Sequence, residues 1–403
     1  MLPGRAAPAA PIDLLKLDDI TLADSPRGAS VLLVLGELPP SLHDAARHIH
    51  DQIPHPRRTV LWHTDVDAPG DAPFRDAVTY TGTLDTLAPA LRAALTTRPS
   101  EPDLLPDTDP APWRGVGPYG QGGTGMTGGV PYGRPMASTA PDIRDGLALD
   151  RLMIRAGPFL PPLPPGLTLQ LHLQGDVIQE VSVAENPFAG APPHARDPWR
   201  TALDRPMPIR NLEVARARHH IRWIAHALRS AGLDALAIRA IDLAFTLTMD
   251  HRGEVARLAR ALEGSRSLAL ATADVATIAR ADVADLGLGP IARASGIAED
   301  LRASDPAYLG AGFEPITQDG GDTRARWRQR LHEAVASLTI AARAGDATTG
   351  GTGTIEGPRG PITLGTTPAA PALDLLPALL RGMELGDAMM AVVSLDIDLM
   401  DAA

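Results

Sequence analysis

The chain has 403 residues and a net charge of −11, and it contains no cysteine, while hydrophobic residues make up 44% of it. This length exceeds what one hydrophobic core usually serves, so it predicts about two or three domains. An acidic chain lacks the basic surface that phosphate binding requires, which argues against nucleic acid as a partner. Without cysteine, these residues cannot form disulfides, cysteine-ligated zinc sites or cysteine-ligated iron–sulfur clusters.

Neither a secretory signal nor a membrane span is predicted from the sequence. The first residues, Met-Leu-Pro-Gly-Arg-Ala-Ala-Pro, lack the apolar core of a signal peptide, and no run of 18 apolar residues occurs. We therefore expect a bacterial cytoplasmic protein that associates with a membrane only through other proteins.

The N-terminal quarter predicts a flexible arm over residues 1–28, which are rich in proline and alanine, followed by a small α/β domain over residues 29–96. The run Ser-Val-Leu-Leu-Val-Leu-Gly at residues 30–36 is typical of a buried parallel strand. Three further elements complete the predicted domain: a helix at 41–52, a strand at 59–62 and a helix at 85–96.

Residues 97–142 predict a connecting loop rich in proline and glycine. Its glycine-rich part, residues 115–134, raises the question of a phosphate-binding loop. However, no Gly-Lys-Ser or Gly-Lys-Thr follows, and no strand leads directly into it, as the known phosphate-binding motifs require. We predict an irregular loop that lies across a domain or subunit surface.

The remaining chain, residues 143–403, predicts a mainly helical domain with β-hairpins. Alternating apolar residues at 167–173 and 176–183 indicate one hairpin, and the glycine- and threonine-rich residues 348–366 indicate another. The apolar residues 392–397 fit either a last strand or a buried helical turn. Helices are predicted at 212–231, 235–248, 253–263, 273–281, 322–344 and 372–386. The basic residues within the fifth helix are spaced i, i+2 and predict a solvated surface: Arg324, Arg326, Arg328 and Arg330.

Several motifs in this C-terminal part keep the order and spacing of one known family. The clearest is Gly-Pro-Ile-Ala-Arg-Ala-Ser-Gly-Ile-Ala-Glu-Asp-Leu-Arg at residues 289–302, and Ile-Glu-Gly-Pro-Arg-Gly follows at 355–360. Further matching residues are Arg216, His220, Trp223, Tyr308, Gly321, Asp322, Arg324, Arg328, Arg330, Glu333 and Ser337. Together they resemble the D subunit (49 kDa type) of respiratory complex I and the related large subunit of nickel–iron hydrogenases, although Ala215 replaces a family glutamate. The resemblance implies an α+β fold with a hydrogenase-large-subunit-like helical domain.

The N-terminal domain resembles a second complex I component. The strand at 30–36 and the run Asp-Gln-Ile-Pro-His-Pro-Arg at 51–57 are similar to the B subunit, which carries the last iron–sulfur cluster. The chain therefore resembles a truncated B subunit fused to a D-like subunit. In complex I these two subunits face each other across the quinone site.

Other departures from the family pattern remove cofactor ligands. Asp65 and Thr83 stand where the B subunit has cluster cysteines, and Asp398 and Asp401 stand where the hydrogenase has its C-terminal cysteine pair. The segment with the first hydrogenase pair looks deleted. The residues matching the quinone loop, 156–162, read Ala-Gly-Pro-Phe-Leu-Pro-Pro and lack the family histidine. These losses predict a chain without a cofactor of its own.

Three functions follow as hypotheses. The first is a non-redox structural subunit in the peripheral arm of a complex I-like or membrane-bound hydrogenase-like assembly, with the other subunits as partners. The second is a divergent D subunit of an NADH-quinone oxidoreductase, which contributes to a quinone site. The third and weakest is a metal-dependent enzyme, with Asp396, Asp398 and Asp401 as oxygen ligands beside His219 or His220. For the two histidines, a structural role is the simpler interpretation.

Overall fold

The computed structural model describes residues 1–63, 74, 77–97, 138–189, 198–363 and 369–400. Most of the predicted connecting loop, including residues 115–134, lies outside these ranges, as do Asp65 and Asp401. The fold is α+β, as predicted, and combines small sheets with a helical body.

A four-stranded parallel sheet forms the N-terminal part of the molecule. Its strands lie in the order β1 (Leu2–Pro3), β2 (Val31–Leu35), β3 (Arg58–Trp62) and β4 (Val78–Tyr80). Helices α1 (His43–Asp51) and α2 (Leu87–Thr97) follow β2 and β4. The continuous apolar run of β2 fits a strand that is covered on both faces. Leu32 and Val34 enter one apolar cluster, while Leu33 and Leu35 enter another.

A second, antiparallel sheet contains β5 (Ser138–Pro141), β6 (Ala148–Ala156), β7 (Leu169–Gln174) and β8 (Val177–Val183) in sequence order. Strands β7 and β8 form the first predicted hairpin. Gly175, at φ +62°, lies in the turn between them. The alternating leucines of β7 all face the core, as the pattern predicts.

The helical body surrounds two long helices, α4 (Ile209–Ser230) and α11 (Thr323–Arg343), which pack against each other. The remaining helices are α3 (Pro198–Asp204), α5 (Asp234–Thr246), α6 (Arg252–Glu263), α7 (Arg266–Thr272), α8 (Arg280–Val283), α9 (Pro290–Ala294), α10 (Pro306–Gly310), α12 (Ala369–Leu380) and α13 (Leu385–Leu395). The short strands pair as β9 (Pro206–Pro208) with β10 (Thr348–Gly350), and as β11 (Thr354–Glu356) with β12 (Pro361–Thr363). The second predicted hairpin region therefore contains one local hairpin, β11–β12, and one strand that pairs with a distant segment.

The predicted helix at 273–281 is wrong. Residues 273–279 are not helical, and Asp274 and Ala276 have positive φ angles of 60° and 51°. Their backbone instead bonds the segment before α11, because Ile278 N donates to Gly321 O and Thr323 N donates to Val275 O, both at 2.9 Å. Long-range backbone pairing has overridden the local helical pattern.

One other interpretation of the C-terminal half needs correction. Arg326 and Arg330 are buried, so the solvated-surface interpretation fails for them and holds for Arg324 and Arg328. Arg326 lies among neutral acceptors and donates to Ser394 Oγ, Gly321 O and Ala276 O. Of the two alternatives for residues 392–397, the buried helical turn is confirmed, since Val392–Leu395 form the buried end of α13.

The predicted flexible arm over residues 1–28 is also wrong. Residues 2–3 form β1, and a 3₁₀ turn, Pro11–Lys16, packs between the sheet and the helices. Leu14 is buried in the sheet cluster, while Ile12 and Leu15 pack against the helical core. Asp13 Oδ2 lies 3.0 Å from Arg222 Nη2 of α4. The high proline and alanine content suggested a flexible segment, although Ile12, Leu14 and Leu15 pack against the rest of the molecule.

Phe159 joins the two halves of the molecule. It packs against the apolar cluster of the parallel sheet and also against the cluster beneath β7 and β8. Among the helices of the described ranges, none has both the length and the apolar character that crossing a membrane requires.

Candidate functional site

The motifs that carry the family resemblance meet in one buried region between α4, α9, α11 and the β11–β12 hairpin. Seven charged side chains from separate segments contact one another there, and no more than 6% of any of these side chains is exposed. We call them the arginine–carboxylate cluster: Glu213, Arg216, Arg293, Asp300, Arg302, Glu333 and Glu356.

Arg293 is the centre of this cluster. Its Nε lies 2.7 Å from Glu333 Oε1, and its Nη1 lies 3.0 Å from Glu356 Oε1 and 3.1 Å from Asp300 Oδ2. Arg293 projects from α9, which begins after Gly289 at φ +49°. A Cβ at Gly289 would lie 2.5 Å from the Cα of Gly360. Glycine therefore allows α9 to approach the β11–β12 hairpin closely.

Glu213 forms the second centre. Its carboxylate accepts hydrogen bonds from Tyr308 Oη at 2.8 Å, from Arg216 Nε at 3.1 Å and from Arg302 Nη1 at 3.2 Å. Arg302 also forms a two-pronged pair with Asp300, at 2.9 and 2.7 Å. The remaining donors of Arg216 bond backbone carbonyls of the β11–β12 hairpin. The cluster thus joins four separate segments by charge-assisted hydrogen bonds.

The electrostatics of the cluster follow from burial and pairing. Burial alone would raise the pKa of Glu333, but Arg293 and the nearby His220 hold it well below its usual value. Burial and the neighbouring Asp300 raise the pKa of Glu356. The cluster contains four carboxyl groups and three guanidinium groups, so the carboxyl groups outnumber the cations that can pair with them.

The aspartates near residue 400 form a separate ionic group beside this cluster. Asp396 ends α13 in a left-handed conformation, at φ +54°. Its Oδ2 lies 2.8 Å from His219 Nε2 and 3.2 Å from Arg330 Nη1, and its Oδ1 lies 3.3 Å from Arg359 Nε. Arg359 Nη1 also lies 3.2 Å from Asp398 Oδ2. We call these five residues the aspartate cluster.

Charge pairing fixes the protonation states in the aspartate cluster. Burial would raise the pKa of Asp396, but Arg359, His219 and Arg330 hold it far below its usual value. Burial lowers the pKa of His219, and it lowers the pKa of the neighbouring His220 to about 3. Both imidazoles are therefore neutral at pH 7, while Asp396 is ionised.

This geometry does not resemble the weak metal site predicted from the sequence. His219, and not His220, contacts Asp396, while His220 Nε2 lies 3.2 Å from Glu333 Oε2. Two guanidinium groups already flank the Asp396 carboxylate, and their charge repels a metal cation. In the part of the chain that the structure describes, no three His, Asp or Glu side chains are placed to hold a metal ion. Asp401 lies outside that part.

Thr83, one of the two N-terminal positions where the B subunit has cluster cysteines, belongs to neither cluster. Thr83 precedes a 3₁₀ turn, and its carbonyl accepts a hydrogen bond from Tyr80 Oη at 2.6 Å. Its hydroxyl lies 3.4 Å from Thr86 Oγ1. Thr83 therefore occupies a locally hydrogen-bonded turn after β4, while Asp65 is outside the described residues.

The segment that matches the quinone loop lies where the sheet and the helical body meet. Its Gly157–Pro158 peptide is cis, and Phe159 is the residue that joins the two apolar cores. No histidine occurs in residues 156–162, but α4 supplies one from outside. His226 Nε2 lies 3.2 Å from Pro162 O, and burial lowers the pKa of His226.

Sequence reasoning missed Glu213. The motif comparison shows only that Ala215 replaces a family glutamate, whereas Glu213 is fully buried at the second centre of the cluster. The available signal was its i, i+3 spacing to Arg216, which places both side chains on one helical face.

Comparison with known proteins supports the resemblance for part of the chain. Residues 234–364 match the family model described as respiratory-chain NADH dehydrogenase, 49 Kd subunit. This range contains Arg293, Asp300, Arg302, Glu333 and Glu356. The predicted resemblance to the D subunit of complex I is confirmed there, while the resemblances to the B subunit and the hydrogenase remain predictions.

Individual relatives match over a shorter range. The D 2 subunit of NADH-quinone oxidoreductase from two strains of Rhizobium etli is 42% identical over 84 residues, which cover 20% of this chain and 21% of the relative. The D 2 subunit from Sinorhizobium medicae is 38% identical over 84 residues, with the same coverage. The chain thus matches about a fifth of the length of these curated relatives.

A further match is to a solved structure. It is a chain from the membrane-bound sulfane sulfur reductase (MBS), an archaeal respiratory membrane complex. The TM-score is 0.46 at 16% sequence identity, and the similarity covers 63% of this chain and 98% of that chain.

Proposed function

We propose that the chain is a non-redox structural subunit in the peripheral arm of a complex I-like or membrane-bound hydrogenase-like assembly. The family match supports a place among respiratory complex subunits. In this role the helical body of the chain holds partner subunits in a fixed arrangement.

The main observation behind this proposal is the ion pair of Asp398 with Arg359. Asp398 occupies the position where the hydrogenase has a metal-binding cysteine. Its carboxylate lies 3.2 Å from Arg359 Nη1, and the same arginine lies 3.3 Å from Asp396. Nickel–iron and iron–sulfur centres need thiolate ligands, whereas this position presents a carboxylate whose charge a guanidinium already neutralises. The arrangement suits a fixed contact between the β11–β12 hairpin and the segment after α13.

The arginine–carboxylate cluster supports the same role. Buried ion pairs add little net stability. We infer that in this chain they fix one arrangement of the segments that they join. In this chain the joined segments are α4, the region from α9 to Arg302, α11 and the β11–β12 hairpin. A rigid body of this kind is what a scaffold subunit requires.

The direct test is to purify the full-length, affinity-tagged chain from membranes of the cells that make it, and to identify its partners by mass spectrometry. We expect co-purification with membrane-embedded subunits. Metal analysis should be done on the chain after separation from its partners, and we expect no stoichiometric metal. Recovery as a lone monomer, or with one equivalent of tightly bound iron, nickel or manganese, would refute the proposal.

The same metal analysis tests the metal-dependent enzyme. One equivalent of metal that is lost in Asp396→Asn would support that hypothesis over the scaffold. The guanidinium groups of Arg330 and Arg359 beside Asp396 make the opposite result the expected one.

One observation favours the second candidate, a D-type oxidoreductase subunit that contributes to a quinone site. His226 brings an imidazole to the segment that matches the quinone loop, although that segment has lost its own histidine. A photoreactive quinone-site inhibitor should then label residues 157–162 in the purified assembly. Excess quinone should suppress the labelling, and His226→Gln should weaken it. Labelling elsewhere, or labelling that quinone does not suppress, would count against this candidate.

A further inference from the structure

The hairpin formed by β5 and β6 carries a concentration of exposed apolar side chains. Fourteen large apolar side chains are exposed in the described ranges, and five of them lie within residues 143–153. Single exposed apolar residues are ordinary on a protein surface, but a contiguous group of this kind marks a contact surface. We call the group the ribbon patch: Ile143, Leu147, Leu149, Leu152 and Met153.

The geometry of the sheet explains why the described residues leave this patch uncovered. Strand β7 pairs with β6 only from Leu152 to Ala156, while the first part of β6, from Ala148 to Arg151, pairs with β5 alone. The two strands therefore continue past β7 as a two-stranded ribbon. Ile154 and Ala156 pack in the apolar cluster beneath β7 and β8, but that cluster does not include Leu152, which is 57% exposed. A two-stranded ribbon is marginally stable alone in water, so this one gains stability from a contact that covers it.

Both faces of the ribbon expose apolar side chains. Side chains alternate along a strand, so Leu149 and Met153 project from one face of β6 and Leu152 projects from the other. Leu152 lies opposite Leu173, on the face that is buried further along the sheet. Met153 lies opposite His172 on the outer face and is 71% exposed. Leu149 and Met153 are four residues apart, or about 13 Å along the strand, so one partner segment can cover both of them.

Arg151 projects from the outer face, between Leu149 and Met153, without interrupting the patch. Its guanidinium reaches across β7 and contacts the Glu180 carboxylate of β8, which also lies 3.0 Å from His172 Nδ1. The charge of Arg151 is thus paired on the side away from β5. Its aliphatic stem is therefore what lies between the two apolar side chains.

The charge balance around the patch indicates which kind of surface fits it. The ribbon and Glu180 together contain three arginines and four carboxylates, so positive charge is not in excess: Arg144, Arg151, Arg155, Asp142, Asp145, Asp150 and Glu180. Arg144 is itself paired, 2.8 Å from Asp142. The phosphate groups of an anionic bilayer or a nucleic acid require an excess of positive charge. The complementary surface is therefore apolar and uncharged, as at the centre of a protein–protein interface.

We propose that the ribbon patch is a docking surface for a partner subunit, which covers the outer face of the ribbon with an apolar, uncharged segment. This segment packs on Leu149 and Met153 and on the stem of Arg151 between them. The inference rests on the proposed function in one respect, since it requires that the chain has partner subunits. It adds the place where one of them binds and the chemistry of the surface that binds there.

The test is site-specific cross-linking in the cells that make the assembly. Met153 is replaced by p-benzoylphenylalanine in the full-length tagged chain, the cells are irradiated, and the cross-linked peptide is sequenced by mass spectrometry. We expect one subunit that also co-purifies with the chain, linked through an apolar, uncharged segment. Leu149→Asp should lower the yield about tenfold, which corresponds to 1.4 kcal/mol, whereas Leu149→Met should largely preserve it. Leu149→Ala introduces no charge, so it tests the contact even if Leu149→Asp fails to fold, and it should lower the yield about threefold.

A matched control places the same photoreactive residue at Leu270, which is 84% exposed on α7. Any cross-link from that position should not respond to Leu149→Asp. Arg155→Gln removes an exposed charge from the same face of β6. It should change the Met153 yield by less than about twofold, because the proposed contact does not depend on charge.

Several outcomes would overturn the docking surface. These are a Met153 cross-link that Leu149→Asp and Leu149→Ala leave unchanged, a cross-link to a charged segment, to lipid, to a second copy of this chain or within the same chain, and no cross-link at all. The two proposals fail separately. A chain that still co-purifies with membrane subunits but gives no Met153 cross-link to them overturns only the docking surface, whereas a chain without partners overturns the proposed function.

Discussion

The parallel sheet and the helical body bury different kinds of side chains. The sheet is covered on both faces by apolar clusters around Leu32 and Leu35, and ion pairs in this part, such as Arg92 with Asp19, lie at the surface. The helical body instead contains fully buried arginine side chains, among them Arg216 and Arg293. The first kind of core depends on volume and shape, whereas the second depends on the identity of each charged partner.

Arg293→Met should have the largest effect, because it preserves volume and removes the charge that Glu333, Asp300 and Glu356 share. We expect the free energy of unfolding to fall by about 3–5 kcal/mol, the usual result when one partner of a buried pair is lost. Urea denaturation followed by circular dichroism measures it. Arg293→Lys keeps the charge without the planar fork and should lie between the variant and the wild type. A loss below about 1 kcal/mol would show that the cluster is not a unit.

Leu35→Ala is the corresponding change in the sheet. Leu35 is fully buried, so the lost contacts and the remaining cavity should lower the free energy of unfolding by about 3 kcal/mol. The volume-conserving Leu35→Met should cost less than about 1.5 kcal/mol. Urea denaturation again provides the measurement. If Leu35→Met proved as harmful as Arg293→Met, the proposed difference between the two cores would be wrong.

The pH dependence of stability gives a test that is specific to the helical body. Burial lowers the pKa of His220 to about 3, so between about pH 6.5 and pH 3 the unfolded chain binds a proton that the folded chain does not. His220 therefore leaves the free energy of unfolding undiminished above about pH 6.5. As the pH falls below that value, His220 lowers the free energy of unfolding by roughly 1.4 kcal/mol per pH unit. His220→Gln should reduce the slope of unfolding free energy against pH by that amount between pH 4 and 6. Equal slopes in the two proteins would contradict this assignment.

Arg92→Ala should have the smallest effect. Arg92 and Asp19 lie 2.7 Å apart, but both side chains are more than half exposed. Solvent and salt screen such a pair, so the loss should remain below about 1 kcal/mol and should shrink further in high salt. Thermal unfolding at low and high salt measures both expectations. A loss above about 2 kcal/mol would mean that surface ion pairs contribute substantially to the stability of the sheet, in addition to its apolar core.

Much of the fold could be predicted from local patterns. The apolar run at 30–36 contains β2, the alternating leucines at 167–173 identify β7, and the helical pattern at 322–344 corresponds to α11. These elements bury one kind of side chain at a regular period, which a sequence displays directly. Their boundaries differ from the predictions by one or two residues.

The candidate site was predictable only in part, because its contacts connect distant segments. The family motifs identified Arg293, Glu333 and Arg359. The i, i+2 spacing of the arginines in α11, however, predicted an exposed surface for Arg326 and Arg330, which are buried. Nothing local indicates that His219, rather than His220, meets Asp396, which lies 177 residues further along the chain. The helix prediction for residues 273–279 was wrong for the same reason, since their backbone partners, Gly321 and Thr323, lie more than 40 residues later.

The segment around Asp13 has a consequence for synthesis. Its partner Arg222 lies 209 residues further along the chain. At ordinary translation rates, about 10 to 40 s separate the synthesis of the two residues. During that interval Ile12, Leu15 and the Asp13 carboxylate have no helical body to bind. The parallel sheet thus emerges from the ribosome with one flank uncovered, and its burial is completed only after α4 and α5 have been translated.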